Sequence, residues 1–240
     1  MTELLYQTDS YIKEFDAVVT TVDTEARAVV LDKTAFYPGG GGQPNDTGKI
    51  SILGGIVHPV EKVKKAGADV LHTLGGDLPM PEAGTEVHGE LDWDFRYKLM
   101  RTHTALHVLC GTVFRDYGAL VTGGNMEPGK GRMDFEFERL QGKLVGEIEA
   151  AVNKEAEAGR EVRVKILPRE EAFQIPDLIR TKINLLPEGI MEVRTVEIVG
   201  LDLQADGGTH VKNTSEIGRI KVVDYKSKGA INKRIYIEVV

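Results

Sequence analysis

Trp93-Asp-Phe-Arg-Tyr-Lys-Leu-Met-Arg-Thr-His-Thr-Ala-Leu-His-Val-Leu-Cys-Gly-Thr-Val-Phe-Arg-Asp116 separates two kinds of pattern in this chain of 240 residues. Within it Leu99, Met100, Leu106, Cys110, Val113 and Phe114 recur at helical spacing, which predicts a helix over 93–116. Everything before it reads as β structure. Asp16-Ala-Val-Val-Thr-Thr-Val22 and Arg27-Ala-Val-Val-Leu31 are β-branched runs joined by a hairpin connection at Asp23-Thr24-Glu25. Lys49-Ile-Ser-Ile-Leu53, Ile56 to Val63, Val70 to Leu74 and Thr85 to Leu91 follow, separated by Gly, Pro and Asp. Many short strands without a helix point to a small barrel or sandwich. After the helix the pattern mixes. Strands are expected at about 118–122, 131–137, 161–166, 192–199, 217–224 and 231–239, with a second helix at about 140–159 that stops before Gly159. The chain therefore divides into a β domain over 1–90 and an α+β domain over 91–240, with the loop-like Gly75-Gly76 and Pro79 to Gly84 just before the boundary.

Composition narrows the classes. Apolar residues are 41% and charged residues 28%, which excludes a disordered chain. No run of 18 apolar residues offers a membrane span, and Met1 to Lys13 lacks the apolar segment of a signal peptide. Cys110 is the single cysteine, so no disulfide can form within the chain and a reducing, cytoplasmic location is expected. The formal charge of −7 is unevenly spread: 1–90 carry 7 Lys+Arg against 14 Asp+Glu, whereas 211–240 carry 7 basic and 3 acidic groups. A local basic surface near the C-terminus is compatible with phosphate contacts despite the net acidity.

Two short motifs carry chemistry. His103 and His107 are four apart, so a helix places both imidazoles on one face, one turn apart. The Glu that follows the first His in metalloprotease helices is missing, which excludes that reading. Asp206-Gly207-Gly208-Thr209-His210 sets a carboxylate and an imidazole around a Gly-Gly turn that can aim both at one point. Either motif alone is compatible with ordinary surface histidines and a tight turn. Together they suggest one zinc ion per chain held by His103, His107 and His210. Three histidines leave a position for water; Asp206 as a fourth ligand would close the shell. His58, His72 and His88 stand without such partners and read as surface or satisfied structural histidines.

These motifs resemble the editing domain of alanyl-tRNA synthetases and their free-standing AlaX relatives. The likeness extends through Thr34-Ala-Phe-Tyr-Pro-Gly-Gly-Gly-Gly-Gln-Pro44, Arg96 to His107, Gly131-Arg-Met-Asp-Phe-Glu-Phe137, Asp202 to Gly218 and Lys233-Arg-Ile235, in the family's order. It implies a small N-terminal β-barrel followed by an α+β editing domain, the latter related to the second additional domain of threonyl- and alanyl-tRNA synthetases. With no aminoacylation domain ahead of the glycine-rich segment, the expected form is the free-standing one with an N-terminal barrel. It also implies hydrolysis of tRNA(Ala) mischarged with serine or, in some cases, glycine, an error that a pocket for a small side chain rejects poorly.

Asp206, Thr34 and Gln43 are the candidate catalytic residues. Thr34 could hydrogen-bond a serine hydroxyl, and the backbone of Gly39, Gly40, Gly41, Gly42 and Gln43 could approach a phosphate, ribose or oxyanion. Arg96, Lys98, Arg101, Lys226, Lys228, Lys233 and Arg234 are candidate RNA contacts. One departure stands out: the family usually has Cys where this chain has Asp206. The carboxylate could ligate the metal, position or deprotonate water, or weaken metal retention, and the last case leaves a tRNA-binding relative without activity. Arg132 and Asp134, two apart on a strand, read as an internal pair, and Cys110 as a core thiol.

Overall fold

β-Branched, alternating segments pair along Met1–Tyr97, the first of two units in the chain. Its strands are β1 (Glu3–Leu4), β2 (Glu14–Asp23), β3 (Ala28–Leu31), β4 (Lys33–Thr34), β5 (Gly48–Ile52), β6 (Val57–Ala66), β7 (Asp69–Leu74) and β8 (Glu86–Leu91). A computed structural model describes residues 1–52, 55–137, 141–181 and 189–240. β2 and β3 form the hairpin expected from Asp23-Thr24-Glu25, and the ring continues β3-β7-β6-β5-β8 until β8 pairs with β2 and closes a barrel. Phe15, Ala17 and Val19 of β2 point inward at alternate positions and pack with Val29, Leu31, Ile50, Val60, Val63, Val70, Leu74 and Val87. β8 and β5 approach so closely that a Cβ on Gly48 would lie 2.2 Å from the Glu90 carbonyl oxygen. Only glycine fits there.

α1 (Trp93–Tyr117) starts where Asp92 caps it, its Oδ1 accepting from Phe95 N at 3.1 Å. The division between units falls within this helix, and Lys98–Val240 forms the second unit. There the chain continues through β9 (Val121–Glu127), β10 (Lys130–Glu136), α2 (Gly142–Glu157), β11 (Val162–Pro168), the short α3 (Arg169–Ala172), β12 (Glu192–Ile198), β13 (Asp202–Ala205), β14 (Ile220–Ser227) and β15 (Asn232–Val239). The expected start of the second helix at residue 140 lies outside the described residues. Two antiparallel sheets result, ordered β14-β15-β10-β9 and β11-β12-β13. The architecture is mixed α+β, rich in sheet.

α1 touches both sheets. A Cβ on Gly131 of β10 would press on Leu106 at 2.9 Å, and one on Gly111 of α1 would meet the Asp202 Cβ at 2.8 Å. The helix is consequently buried on nearly every side from Thr102 to Val113. That differs from the single apolar stripe its spacing suggests. Some of its buried polar side chains are met by a partner, whereas Thr112 Oγ1 has none among the described residues. Thr102 Oγ1 donates to Lys98 O at 2.7 Å and accepts from Gly129 N at 2.9 Å. No helix among the described residues is long and apolar enough to cross a membrane.

Candidate metal centre

The middle of α1 projects His103 and His107 from successive turns, with ring centroids 5.1 Å apart. β13 ends at Ala205, and the turn that follows delivers Asp206 and His210 to the same place. The His210 ring lies 4.2 Å from that of His103 and 4.7 Å from that of His107. The Gly208 amide donates to Asp206 Oδ2 at 2.7 Å, closing the turn with the side chain it presents. Gly207 needs no left-handed backbone, and a Cβ there would meet nothing within 4 Å. The turn is thus held by the Asp206 carboxylate rather than by glycine conformation. One ligand atom from each of His103, His107, Asp206 and His210 can be chosen so that all four lie within 4.8 Å of one another.

The centre is nearly dry. His103, His107 and His210 are buried, and the Asp206 side chain is 16% exposed. Asp206 Oδ1 lies 3.6 Å from His103 Nε2 and 4.0 Å from His107 Nε2, while Oδ2 lies 3.0 Å from His210 Nε2. Burial drives His103 well below its ordinary pKa and His210 down to about 4. Burial also disfavours charge on His107, but Asp202 and Asp206 outweigh it and raise this ring. Burial opposes ionisation of Asp206, yet the rings of His103, His210 and His107 hold it well below the usual carboxylate range. Three buried imidazoles beside one carboxylate form a group that could hold a metal ion accepting nitrogen and oxygen.

Other side chains complete the surroundings, and sequence reading passed over them. Arg194 Nη1 donates to the Asp206 carbonyl at 2.9 Å and lies 3.7 Å from its Oδ2. Asp202, fully enclosed, places Oδ2 3.3 Å from His107 Nδ1, outside good hydrogen-bond alignment, and takes a 2.6 Å hydrogen bond from Gln204 Nε2. The signal for β13 was present: Asp202-Leu-Gln-Ala205 alternates polar and apolar, with Leu203 and Ala205 packing against the Val193 cluster. Four residues headed by Asp do not announce a strand.

Several expected contact residues are placed elsewhere. Arg96 is fully buried. It clamps Asp46 and donates to Ser10 O at 3.0 Å and Ala35 O at 2.6 Å, which commits it to the first unit's interior instead of RNA. Asp46 in turn accepts from Tyr37 N at 2.6 Å, so this pair braces the glycine segment. Arg101 donates to Ile217 O, Lys233 Nζ to Gly229 O and Ala230 O, and Arg234 grips Asp134 at 2.6 and 2.8 Å. Asp134 thus has Arg234 as its close partner, with Arg132 at 3.7 Å. Internal carbonyls and carboxylates absorb cations that spacing alone offers to phosphate.

Thr34 is likewise fully buried. Its hydroxyl accepts from Phe36 N at 3.1 Å and meets His72 Nε2 at 2.8 Å, both within the first unit's interior. His72 and His58 are buried, and His88 is half-buried against Asp16 at 2.7 Å. Gly39, Gly40, Gly41 and Gly42 all have φ between 58° and 131°, a run no other residue tolerates. Gly40 and Gln43 close this turn with reciprocal backbone bonds of 3.0 and 2.9 Å; Gln43 is buried while Gly40 and Gly41 are exposed. Cys110 is buried, its thiol raised by burial, as a core residue should be.

Comparison with known proteins now bears on this geometry. The Threonyl and Alanyl tRNA synthetase second additional domain matches residues 193–236, and the tRNA synthetases class II (A) model matches residues 4–95. The alanyl-tRNA editing protein AlaX-M of Saccharolobus solfataricus is 43% identical over 100% of this chain and 99% of its own length. That of Methanosarcina acetivorans is 40% identical over 98% of each. The alanine–tRNA ligase of Pyrobaculum aerophilum is 41% identical over 92% of this chain, which corresponds to 25% of the ligase. End-to-end identity at this level with relatives of the same length places the chain in the AlaX-M family of alanyl-tRNA editing proteins.

Proposed function

We propose that this chain hydrolyses the ester of mischarged tRNA(Ala), with serine as the first target and glycine as a second, using one zinc ion held by His103, His107, His210 and Asp206. The convergence of three nearly dry imidazoles on one ionised carboxylate, in a chain of this family, supports the reading most directly. Bound zinc would supply Lewis acidity at the ester or its attacking water. Asp206 is enclosed by the three rings, with Oδ1 3.6 Å from His103 Nε2 and Oδ2 3.0 Å from His210 Nε2. It therefore acts by holding the cation, with Arg194 and the Gly208 amide keeping its orientation. Burial keeps His103 and His210 neutral and able to ligate at physiological pH.

The RNA side of the reading shifts to exposed cations. Lys98, Lys226 and Lys228 are exposed, and Lys226 also sits 5.1 Å over the Tyr236 ring. We assign phosphate contacts to these lysines and contact with ribose or phosphate to the exposed part of the Gly39–Gln43 turn.

The test is deacylation of tRNA(Ala) charged with serine, glycine or alanine, with metal content measured in parallel. Loss of serine with alanine spared, and about one zinc per chain, is the expected outcome. His103→Ala should lose hydrolysis while keeping tRNA binding; full activity in that variant would remove the metal from the mechanism. Survival of every ester, with folded protein supplied with zinc, would leave a tRNA-binding relative without turnover.

A further inference from the structure

Thr104 lies on α1 between the two helical histidines, fully buried, and its hydroxyl faces the centre from behind. A hydroxyl has one proton and two lone pairs. The proton goes to Met100 O at 2.9 Å, one turn back along the helix. One lone pair takes the Val211 N–H at 3.2 Å. The other meets His210 Nδ1 at 3.1 Å. With its only proton committed to the helix carbonyl, Thr104 can offer His210 an acceptor and nothing else.

We propose that Thr104 is a positioning residue for the metal: it accepts the Nδ1 proton of His210 and thereby turns the Nε2 lone pair onto the centre. The inference rests on the reading of His103, His107, His210 and Asp206 as a metal site. His210 Nε2 lies 3.0 Å from Asp206 Oδ2, an ionised carboxylate oxygen that can only accept. Two acceptors at that separation repel unless a cation joins them. Thr104 thus denies the centre its alternative, in which His210 carries its proton on Nε2, donates to Asp206 and satisfies both groups without metal. The Val211 amide, next in sequence to His210, fixes the same hydroxyl, so ligand and partner are positioned by one atom of the helix. Ligating histidines are oriented in this way by an acceptor on the remote ring nitrogen, and such partners change metal affinity without touching the metal.

The experiment is a zinc titration of the full chain against a competing chelator. Thr104→Val keeps the shape and removes the acceptor; Thr104→Ser keeps the hydroxyl. Zinc affinity should fall roughly 10- to 100-fold in the first and stay near wild type in the second. Unchanged affinity in Thr104→Val overturns the proposal. Nitrogen-15 NMR of histidine in the zinc-loaded wild type needs no variant to fold: a proton on His210 Nδ1 with Nε2 bound is expected, and the reverse arrangement overturns the assignment. A wild-type chain that takes up no zinc would strike the metal reading itself, a result distinct from zinc binding that ignores Thr104.

Discussion

His72 is fully buried, and burial lowers its pKa to about 4 from an ordinary value of 6.5. Its Nδ1 lies 3.3 Å from Val29 O and its Nε2 2.8 Å from Thr34 Oγ1, contacts that suit a neutral ring with the proton on Nδ1. The consequence for stability has a definite sign. Above pH 6.5 the ring is neutral in both folded and unfolded chains, and the folded state bears no penalty. Below it the unfolded chain takes up a proton that the folded one refuses until the pH nears 4, so stability falls across that window. At pH 5 the loss from this residue is about 2 kcal/mol. Urea unfolding of the first unit's transition at pH 7 and pH 5 should show the wild type losing that much more than His72→Gln. Equal losses would mean that the ring is not held neutral. At this scale the chain was only partly legible. The HxxxH and GGTH pairs named the four candidate ligands from spacing. The internal partners of Arg96, Lys233 and Thr34 were not legible, because no local pattern shows which group a distant segment will bring to them.

Elements differ in how much room they leave. Gly48 lies where β5 and β8 nearly touch, and the obstructing atom is a backbone oxygen that cannot turn aside. Gly146 lies on the exposed side of α2, where an added Cβ meets nothing within 4 Å. Gly48→Ala should therefore destabilise the first unit by about 1–3 kcal/mol, as overpacking does. Gly146→Ala should stabilise the second unit by about 0.5–1 kcal/mol through helix propensity. Denaturant midpoints of the full chain test both, and destabilisation by Gly146→Ala would show an unseen role for that face. Long elements were easy to find. The 93–116 expectation matches α1 to within a residue, because apolar periodicity over six turns is hard to imitate. β13 was missed because three half-buried residues headed by a buried Asp become a strand only when β12 lies beside them.

Each of the two units has its own packed interior, and all four candidate ligands belong to the second. A cation that binds only the folded second unit should raise that unit's unfolding transition alone, by about 3 kcal/mol at a hundredfold excess over its dissociation constant. Calorimetry with zinc and then with a chelator should move one transition and leave the first unit's in place, and His210→Ala should abolish the shift. A transition unmoved by zinc in the wild type would count against the site. Sequence alone determined the place of α1 and of the longer strands, the glycine turn at 39–42, the candidate ligands and the likeness to editing proteins, because periodicity, φ requirements and ligand spacing are local properties of a chain. Tertiary structure decided the closure of β2 on β8, the burial of α1 against two sheets, the internal capture of Arg96, Arg101 and Arg234, and the seating of Thr104, Arg194 and Asp202 around the centre. Those depend on which distant segments meet, and burial, hydrogen-bond satisfaction and pKa are properties of that meeting.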